Sequence, residues 1–266
     1  MKRQLTMETN PFDLTGQDHW VVGGAGHLGQ PVVRLLAGLG ARVLCVDIED
    51  RSAAFIALAG LDSQVTAGRL DANDTGAAQE FVAAQIAARG VPHGLVMMNY
   101  ASTASRLEEL TEEDFDRVNH GNLTATFIFA RALATAMRGE RRGSVVLFSS
   151  MYGSVAPDPS IYQAPQTPNP IEYGVNKAGI QQMARYLAMH FGPDGVRCNS
   201  ISPGPFPSPD AQRTHPHMVA AQNSKVPLGR IGRAEEIAGA VAFLLSDASS
   251  YITGINLPVD GGWTAW

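Results

Sequence analysis

Val21-Val-Gly-Gly-Ala-Gly-His-Leu-Gly29 is the stretch that decides the fold. It extends an apolar run of strand length, and apolar residues at helical spacing begin at Leu28. Glycines in such a turn permit a tight bend and close approach of the backbone, and the free N–H groups at the start of a helix bind a pyrophosphate. Strand, glycine-rich turn and helix in this order predict a dinucleotide-phosphate site near the start of the chain.

The same alternation continues along the chain. Runs of strand length lie at 19–23, 41–47, 95–99, 144–149 and 196–201, and helical spacing lies at 28–39, 75–89, 112–137, 172–191 and 234–246. This order predicts an α/β fold, a doubly wound parallel sheet of the Rossmann type with helices on both faces. No linker divides the chain, so we expect a single domain over residues 13–266, preceded by a polar N-terminal extension, residues 1–12.

The composition of the chain limits the classes of partner and the cellular location that we expect. The formal net charge of −5 over 266 residues argues against nucleic acid. The N-terminus has no apolar core of a secretion signal, and no apolar stretch approaches the roughly 18 residues of a membrane span. Cys45 and Cys198 lie in apolar runs, which indicates reduced, buried thiols and a cytoplasmic location. His215 and His217 have no placed carboxylate or thiol partner, so we expect no metal.

Asp47 ends the second predicted strand. A carboxylate at this place accepts hydrogen bonds from the adenosine ribose hydroxyls and repels a 2′-phosphate, so it favours NAD over NADP. Arg42 and Arg51 are the cations that could oppose this preference, although Arg42 lies at the other end of the strand.

Tyr173 and Lys177 stand four residues apart in a predicted helix, so their side chains share one face. An ammonium beside a phenol favours the phenolate and lowers the phenol pKa by roughly 1–3 units. The pair is therefore a candidate for acid/base chemistry near neutral pH.

Further segments follow in a fixed order: Asn99-Tyr-Ala-Ser102, Asn122, Ser149-Ser150, Pro203-Gly204, and residues 230–262 with Asp260-Gly-Gly262 near the end. With the glycine-rich turn and Tyr173-x-x-x-Lys177, they resemble the short-chain dehydrogenase/reductase family in its single-domain form. The resemblance covers nearly the whole chain, from about Asp18 to Gly262.

The resemblance implies roles for particular residues. Tyr173 would exchange a proton with the substrate oxygen, and Lys177 would hold the nicotinamide ribose and lower the Tyr173 pKa. Ser150 would hydrogen-bond the reacting oxygen, with Ser149 as the alternative, and Asn122 would kink its helix or hold a water linked to Lys177. The implied cofactor contacts are Gly23, Gly26, His27, Leu28, Gly29, Asp47, Asp71, Ala72, Asn99, Ala101, Tyr173, Lys177, Pro203, Gly204 and Ser208. Asp74, close to Asp71, is equally suited to cap a helix.

Some positions depart from the family pattern. His27 replaces the second glycine of the turn, and Gly26 stands one place earlier, a spacing that resembles the extended, sugar-nucleotide branch of the superfamily. Tyr100 and Ser102 replace a small polar residue and a glycine, and the sequence gives no consequence for this change.

Residues 151–172 form a longer connection than is usual in the family, rich in neutral hydrogen-bonding groups. We expect a polar, sugar- or polyol-like substrate bound by Ser150, Tyr152, Tyr162 and Tyr173. An insertion that packs against a neighbouring subunit is the alternative. Residues 203–224 are expected to form a flexible lid.

The sequence thus predicts an NAD-dependent oxidoreductase that interconverts a secondary alcohol and a ketone by hydride transfer, with tyrosine as acid/base. The alternatives are a sugar-nucleotide epimerase or dehydratase, suggested by the glycine spacing, and a non-catalytic NAD-sensing or interaction protein on the same fold. The resemblance also implies a homo-oligomer, a tetramer or dimer, formed through the long helices that begin near residues 112 and 172.

Overall fold

The computed structural model describes residues 10–103, 105–164 and 166–265. Its centre is a sheet of seven strands in the order β3-β2-β1-β4-β5-β6-β7. All neighbouring strands are parallel. The strands are β1 Asp18–Val22, β2 Arg42–Asp47, β3 Val65–Arg69, β4 Gly94–Met97, β5 Gly143–Phe148, β6 Val196–Pro203 and β7 Asn256–Val259. The predicted doubly wound, Rossmann-type sheet is confirmed.

Helices cover both faces of the sheet. They are α1 Gly29–Gly38, α2 Arg51–Ala59, α3 Thr75–Arg89, α4 Glu112–Asn119, α5 Ala125–Gly139, α6 Ile171–Phe191, α7 Pro209–Thr214, α8 Pro216–Lys225 and α9 Ala234–Leu245. One core packs α3, α5 and α6 against the sheet, and the other packs α1, α2 and α9 against the opposite face. Trp20 enters the first core and its neighbour Val21 the second, because successive strand side chains point to opposite faces.

The structure differs from the predicted elements at the sheet edges and in one long helix. The edge strands β3 and β7 were not predicted, because they read Val-Thr-Ala-Gly-Arg and Asn-Leu-Pro-Val and their apolar pattern is weak. The helix α2 was also not predicted. The helix predicted over 112–137 is interrupted by one π-helical turn, His120–Thr124, between α4 and α5. Such turns insert one extra residue and reorient the side chains that follow.

The ends and insertions of the chain lie against this core. Most of the predicted extension, residues 1–9, lies outside the described residues, but the Ala248 N–H donates to the carbonyl of Pro11 at 3.2 Å, so the chain is packed on the domain from that point. Within the described ranges, no helix has the length and apolar character to cross a membrane.

Candidate active site

A cavity of about 750 Å³ opens at the carboxyl ends of the strands. It lies beside β1 and β4, the adjacent strands at which the direction of strand succession reverses. In open parallel sheets, ligands bind at this switch point. The lining residues that sequence reasoning had proposed for the cofactor or substrate are Gly23, Gly26, His27, Leu28, Gly29, Asp47, Asp71, Ala72, Asn99, Ser150, Tyr173, Lys177, Pro203, Gly204 and Ser208.

The glycine-rich turn brings the start of α1 against the end of β1. Gly23 has φ +80°, and a Cβ there would lie 3.0 Å from the backbone of Met98. A Cβ on Gly29 would overlap the carbonyl oxygen of Gly23. The bare backbone therefore forms the floor of the cavity, as a pyrophosphate cradle requires. His27, in the altered spacing, is exposed and lines the same cavity.

Asp47 is buried at the end of β2 and is fixed by the turn itself. Its Oδ2 accepts from the N–H of Ala25 at 3.0 Å, and its Oδ1 accepts from its own neighbour Ile48 at 2.9 Å. Arg51 lies 3.3 Å from Oδ1 and also lines the cavity. Arg42 is at the opposite end of β2, 3.8 Å from Asp18, as its sequence position predicted.

Asp71 and Asp74 follow β3 and have different structural roles. Asp71 lines the cavity, where its Oδ1 accepts from the N–H of Asn73 at 2.9 Å. Asp74 lies at the N-terminus of α3, where its Oδ1 accepts from the N–H of Ala77 at 2.9 Å, so the predicted helix cap is confirmed.

The segment after β4 is fastened to the π-helical turn. Asn99 donates to the carbonyl of Gly121 at 2.7 Å and accepts from Thr126 at 3.1 Å. The fully buried amide of Asn122 donates to the carbonyl of Ala101 at 2.8 Å and accepts from the Ala101 N–H at 3.2 Å. Ala101 is thus held at the back of the segment and is not among the lining residues of the cavity.

Asn122 also bonds within its own helix, since its Nδ2 donates to the carbonyl of Val118 at 3.1 Å. A side chain that competes for an i−4 carbonyl disturbs the helical ladder. This geometry accompanies the break between α4 and α5, and it agrees with the first of the two roles considered for Asn122, a kink in its helix.

The structure distinguishes the two adjacent serines at the end of β5. The Ser149 hydroxyl donates to the carbonyl of Lys177 at 2.7 Å and accepts from Gln181 at 3.1 Å, so it supports helix α6. The Ser150 hydroxyl accepts from the Tyr152 N–H at 3.1 Å, it lines the cavity together with Tyr173, and its interaction with the phenol acts to lower the pKa of Tyr173. Ser150, therefore, is the serine that faces the phenol.

Tyr173 and Lys177 lie on one face of α6, as the spacing predicted. Lys177 is buried, its ammonium donates to the carbonyl of Phe148 at 3.0 Å, and it lies 5.5 Å from the centre of the Tyr173 ring. Burial raises the pKa of Tyr173 to about 12, although the interaction with Ser150 acts to lower it. Burial lowers the pKa of Lys177 to about 8.

This balance differs from the expected lowering of the Tyr173 pKa. Burial disfavours the phenolate, because an anion loses solvation in the interior. The same burial disfavours the ammonium of Lys177, so the cation that would favour the phenolate is itself weakened. The pKa of Tyr173 therefore lies above the usual value of a phenol and not below it.

Two of the three tyrosines expected to bind substrate, Tyr152 and Tyr162, lie outside the cavity lining. The hydroxyls of Tyr152 and Tyr162 are 2.9 Å apart, and Tyr152 is buried. Both side chains pack in a small third core with Ile161, Val226 and Trp263. Tyr173 lies against the same core and is the one member of this group that also reaches the cavity.

The long segment 151–172 is joined to α8, which lies in the region expected to form the lid and is called the lid helix below. Asp158 and Lys225 form an ion pair, and Gln166 donates to the sulfur of Met218 at 3.8 Å. The Asp158–Lys225 contact holds the pKa of Asp158 near about 2. Met218 and Lys225 both belong to α8, so the segment 151–172 and α8 are linked through an ion pair and a hydrogen bond to sulfur. Pro165, within the insertion, lies outside the described residues.

Several lining residues were not found from the sequence. They are Val22, Ile48, Arg51, Leu70, Asn73, Met98, Tyr100, Phe148 and Phe206, whereas Ser149 had been named as the alternative to Ser150. Most stand one or two places from a strand end, and that position is the signal that could have found them, because the ends of parallel strands border the ligand crevice. Arg51 and Tyr100 had been noticed as unusual residues but had not been given a place in the site.

The sheet order, the glycine cradle and the clustered serine, tyrosine and lysine define a single-domain dinucleotide-binding oxidoreductase. Residues 23–264 match the family model described as enoyl-(acyl carrier protein) reductase. The chain belongs to the short-chain dehydrogenase/reductase family, as its motifs had indicated.

Curated relatives cover the whole domain. The chain is 31% identical over 260 residues to 2,5-dichloro-2,5-cyclohexadiene-1,4-diol dehydrogenase of Sphingobium indicum, covering 94% of this chain and 97% of the relative. It is 31% identical over 264 residues to galactitol 2-dehydrogenase (L-tagatose-forming) of Cereibacter sphaeroides, covering 96% and 98%. A short-chain dehydrogenase of Leptospira borgpetersenii, solved with bound NAD+, superposes with a TM-score of 0.82 at 26% identity, covering 99% of each chain.

Proposed function

We propose that this oxidoreductase interconverts a secondary alcohol and a ketone, using NAD, on a polar substrate of the sugar or polyol class. The observation that carries the proposal is the convergence of three side chains at the cavity. Ser150 and Tyr173 line the same cavity and interact there, so that Ser150 acts to lower the phenol pKa, and Lys177 lies 5.5 Å from the ring of that tyrosine. Hydroxyl, phenol and ammonium together form a route for a proton next to the glycine cradle.

NAD would occupy the cradle and exchange a hydride with the carbon that bears the substrate oxygen. Ser150 would orient that oxygen and stabilise negative charge that develops on it. Tyr173 would take the hydroxyl proton in oxidation, or return it in reduction, at its phenol oxygen. Lys177 would hold the nicotinamide ribose.

The preference for NAD rests on Asp47. Its carboxylate is buried beside the cavity, where it would accept from ribose hydroxyls and repel a 2′-phosphate. Arg51 lies 3.3 Å from this carboxylate and is the one residue whose charge opposes the preference. The ion pair keeps that guanidinium engaged, which supports NAD over NADP.

The substrate class is supported from two sides. The hydroxyl-bearing residues Ser150, Tyr173 and Tyr100 line the cavity. The names of two relatives describe the oxidation of alcohols that carry more than one hydroxyl, galactitol and a ring diol. Polar groups around a cavity select such ligands, since an unmatched buried donor or acceptor costs binding free energy.

The decisive experiment compares the wild type with Tyr173→Phe on a panel of polyols and hydroxy-ketones with NAD or NADH. We expect the wild type to turn over members of the panel and the variant to lose about 10²- to 10⁴-fold in kcat, the range of a positioned acid/base. NADH affinity should stay within about twofold. Tyr186→Phe, an exposed tyrosine in the same helix, is the matched control and should retain full activity.

A wild type that binds NADH but turns over no alcohol or ketone would favour the NAD-sensing alternative. Retention of activity in Tyr173→Phe would remove the acid/base role from this residue. Either result is separable from misfolding by the NADH affinity measured on the same samples.

The proposal also covers the oligomeric state of the protein and its location in the cell. We propose a homotetramer or dimer formed through the long helices that begin near residues 112 and 172, because Phe127 on α5 and Val175, Tyr186 and Met189 on α6 expose apolar side chains. We also propose a cytoplasmic location. Cys45 and Cys198 are free and buried, and burial raises their pKa values to about 11 and about 12, which suits unreactive reduced thiols.

A further inference from the structure

Tyr100 is the exposed aromatic side chain of the cavity. Four aromatic residues belong to the lining: Phe148 is buried, Tyr173 and Phe206 are partly buried, and Tyr100 is 67% exposed. A large aromatic surface left open beside reacting groups is a feature of ligand sites, where rings supply apolar contact area with a polar tip.

The ring of Tyr100 is placed next to the reacting phenol. The centres of the Tyr100 and Tyr173 rings are 5.7 Å apart, with an angle of 73° between the ring planes. In this edge-to-face arrangement one ring packs by its edge against the other. A molecule whose oxygen reaches Tyr173 therefore passes within contact distance of Tyr100.

The backbone that carries Tyr100 is held on both sides. Before it, Asn99 bonds to Gly121 and Thr126. After it, the buried Asn122 amide bonds both backbone groups of Ala101.

A second set of hydrogen bonds joins this segment to α6, the helix that carries Tyr173 and Lys177. The fully buried carboxylate of Glu172 accepts from the Thr103 hydroxyl at 2.6 Å and from the Thr103 N–H at 3.2 Å. Glu172 directly precedes Tyr173, so these bonds connect the segment of Tyr100 to the first turn of α6. Tyr100 is thus a preorganised surface, and a ligand that packs on it need not order the loop first.

The other tyrosines near the site, Tyr152 and Tyr162, do not offer a ring surface to a ligand in the cavity. Tyr152 and Tyr162 bond to each other and pack in the third core. The long segment 151–172 therefore does not bring their rings into the cavity, and the aromatic surface beside Tyr173 is that of Tyr100.

We propose that Tyr100 is a specificity-determining residue whose ring packs against the C–H face of a cyclic secondary alcohol or ketone, so that the enzyme prefers ring substrates to open-chain polyols. The proposal rests on the alcohol–ketone oxidoreduction proposed above and narrows its substrate class. A saturated ring presents several C–H groups on one face while hydroxyls at its edge reach Ser150 and Tyr173. An open-chain polyol must lose the freedom of several torsions to offer the same surface.

The test compares the wild type, Tyr100→Phe and Tyr100→Ala with two sets of probes. The ring set is myo-inositol, scyllo-inositol and trans-cyclohexane-1,2-diol, and the open-chain set is galactitol, sorbitol and ribitol. Myo-inositol and galactitol form a matched pair, because they have the same number of carbons and hydroxyls. Steady-state kinetics with NAD gives KM and kcat for each probe, and fluorescence titration gives the NADH dissociation constant.

For the wild type we expect the best ring probe to exceed the best open-chain probe by about fivefold or more in kcat/KM. Tyr100→Ala should lose about tenfold on ring probes, mainly through KM, a change that corresponds to ~1.4 kcal/mol. It should lose less than about twofold on open-chain probes, and Tyr100→Phe should follow the wild type. NADH affinity should be unchanged in all three proteins.

Four results would overturn the proposal: a wild-type preference for open-chain probes, an unchanged ring activity in Tyr100→Ala, an equal loss on both sets, or a loss of NADH affinity. An equal loss would mean that Tyr100 acts through Tyr173, and a loss of NADH affinity would assign its ring to the cofactor. No turnover of any probe by a wild type that binds NADH would end the proposed polyol chemistry and this inference with it. The four results above leave the alcohol–ketone chemistry standing.

Discussion

Asn122 bonds both backbone groups of Ala101 from the interior of a helix, donating to the carbonyl at 2.8 Å and accepting from the N–H at 3.2 Å. A single buried amide thereby joins the π-helical turn to the segment that borders the cavity. Since backbone groups in the interior need partners, this contact fixes the segment as effectively as a strand pairing would.

Asn122→Ala would leave a buried donor and acceptor of Ala101 without partners. We expect a loss of about 1–3 kcal/mol in the free energy of unfolding. We also expect a lower kcat, because the segment beside Tyr173 loosens. Urea unfolding and steady-state kinetics check this, with Thr124→Ala, exposed in the same turn, as the control. Equal stability of the two variants would contradict the role given to Asn122.

Replacing Ser149 and Ser150 by alanine, one at a time, should affect kcat and stability differently. Ser150→Ala removes an interaction that acts to lower the pKa of Tyr173, so the phenol becomes harder to ionise. Alcohol oxidation needs the phenolate as proton acceptor, so its rate rises with pH, and the variant should shift this rise to higher pH. We expect kcat to fall by about 10²-fold, the size of one oxyanion-type contact.

Ser149→Ala is the matched control for Ser150→Ala. It removes the bond to the Lys177 carbonyl, so we expect lower stability by roughly 1 kcal/mol with kcat within about threefold of the wild type. A larger kinetic effect at Ser149 than at Ser150 would reverse the assignment of the two serines.

Asp47→Asn keeps an acceptor for the Ala25 N–H but removes the negative charge that a 2′-phosphate would meet. It also frees Arg51, 3.3 Å away, to bind such a phosphate. We expect the ratio of kcat/KM with NADP to that with NAD to rise by about tenfold or more. Asp50→Asn, an exposed aspartate near the same strand end, should leave the ratio unchanged. An unchanged ratio in Asp47→Asn would contradict the specificity role of this carboxylate.

His19 should make the protein less stable in acid. It is fully buried, and burial lowers its pKa from 6.5 to about 3, with a smaller contribution from His93. Above pH 6.5 the folded and unfolded forms are both neutral at this site. Below pH 6.5, His19 becomes protonated in the unfolded chain but stays neutral in the folded protein. The free energy of unfolding therefore decreases as the pH falls from 6.5 toward about 3.

Urea unfolding at about pH 7.5 and about pH 5 measures this effect. We expect His19→Gln to lose up to ~2 kcal/mol less than the wild type between these values. His190→Gln, at an exposed position of α6, should behave as the wild type. The same pH dependence in all three proteins would exclude His19 as a source of acid sensitivity.

The Asp158–Lys225 pair joins the segment 151–172 to the lid helix. Lys225→Met should raise the KM for the alcohol by up to about fivefold, because a partly exposed ion pair contributes modestly. NADH affinity should not change, and the exchanged pair Asp158→Lys with Lys225→Asp should recover part of the loss. Arg213→Met, which breaks an exposed pair within α7, is the control. Failure of the exchanged pair to recover any activity would argue against coupling through this contact.

Much of the site could be predicted because its signals are local. The cradle requires glycine at Gly23 and Gly29, where side chains would collide with neighbouring backbone. Tyr173 and Lys177 share a helix face by spacing alone. The direction of the Tyr173 pKa shift could not be predicted from the sequence. Burial raises this pKa, and burial depends on how distant segments pack over α6.

The sequence by itself determined the parallel sheet, the alternation of its inner strands with helices and the position of the cradle, because apolar periodicity and glycine geometry act over a few residues. Only the tertiary structure decided that Ser150 and not Ser149 faces the phenol, and that Tyr100 lines the cavity while Tyr152 and Tyr162 do not. These outcomes depend on contacts between segments far apart in the chain. Such contacts are set by the packing of whole elements and leave no periodic trace in the sequence.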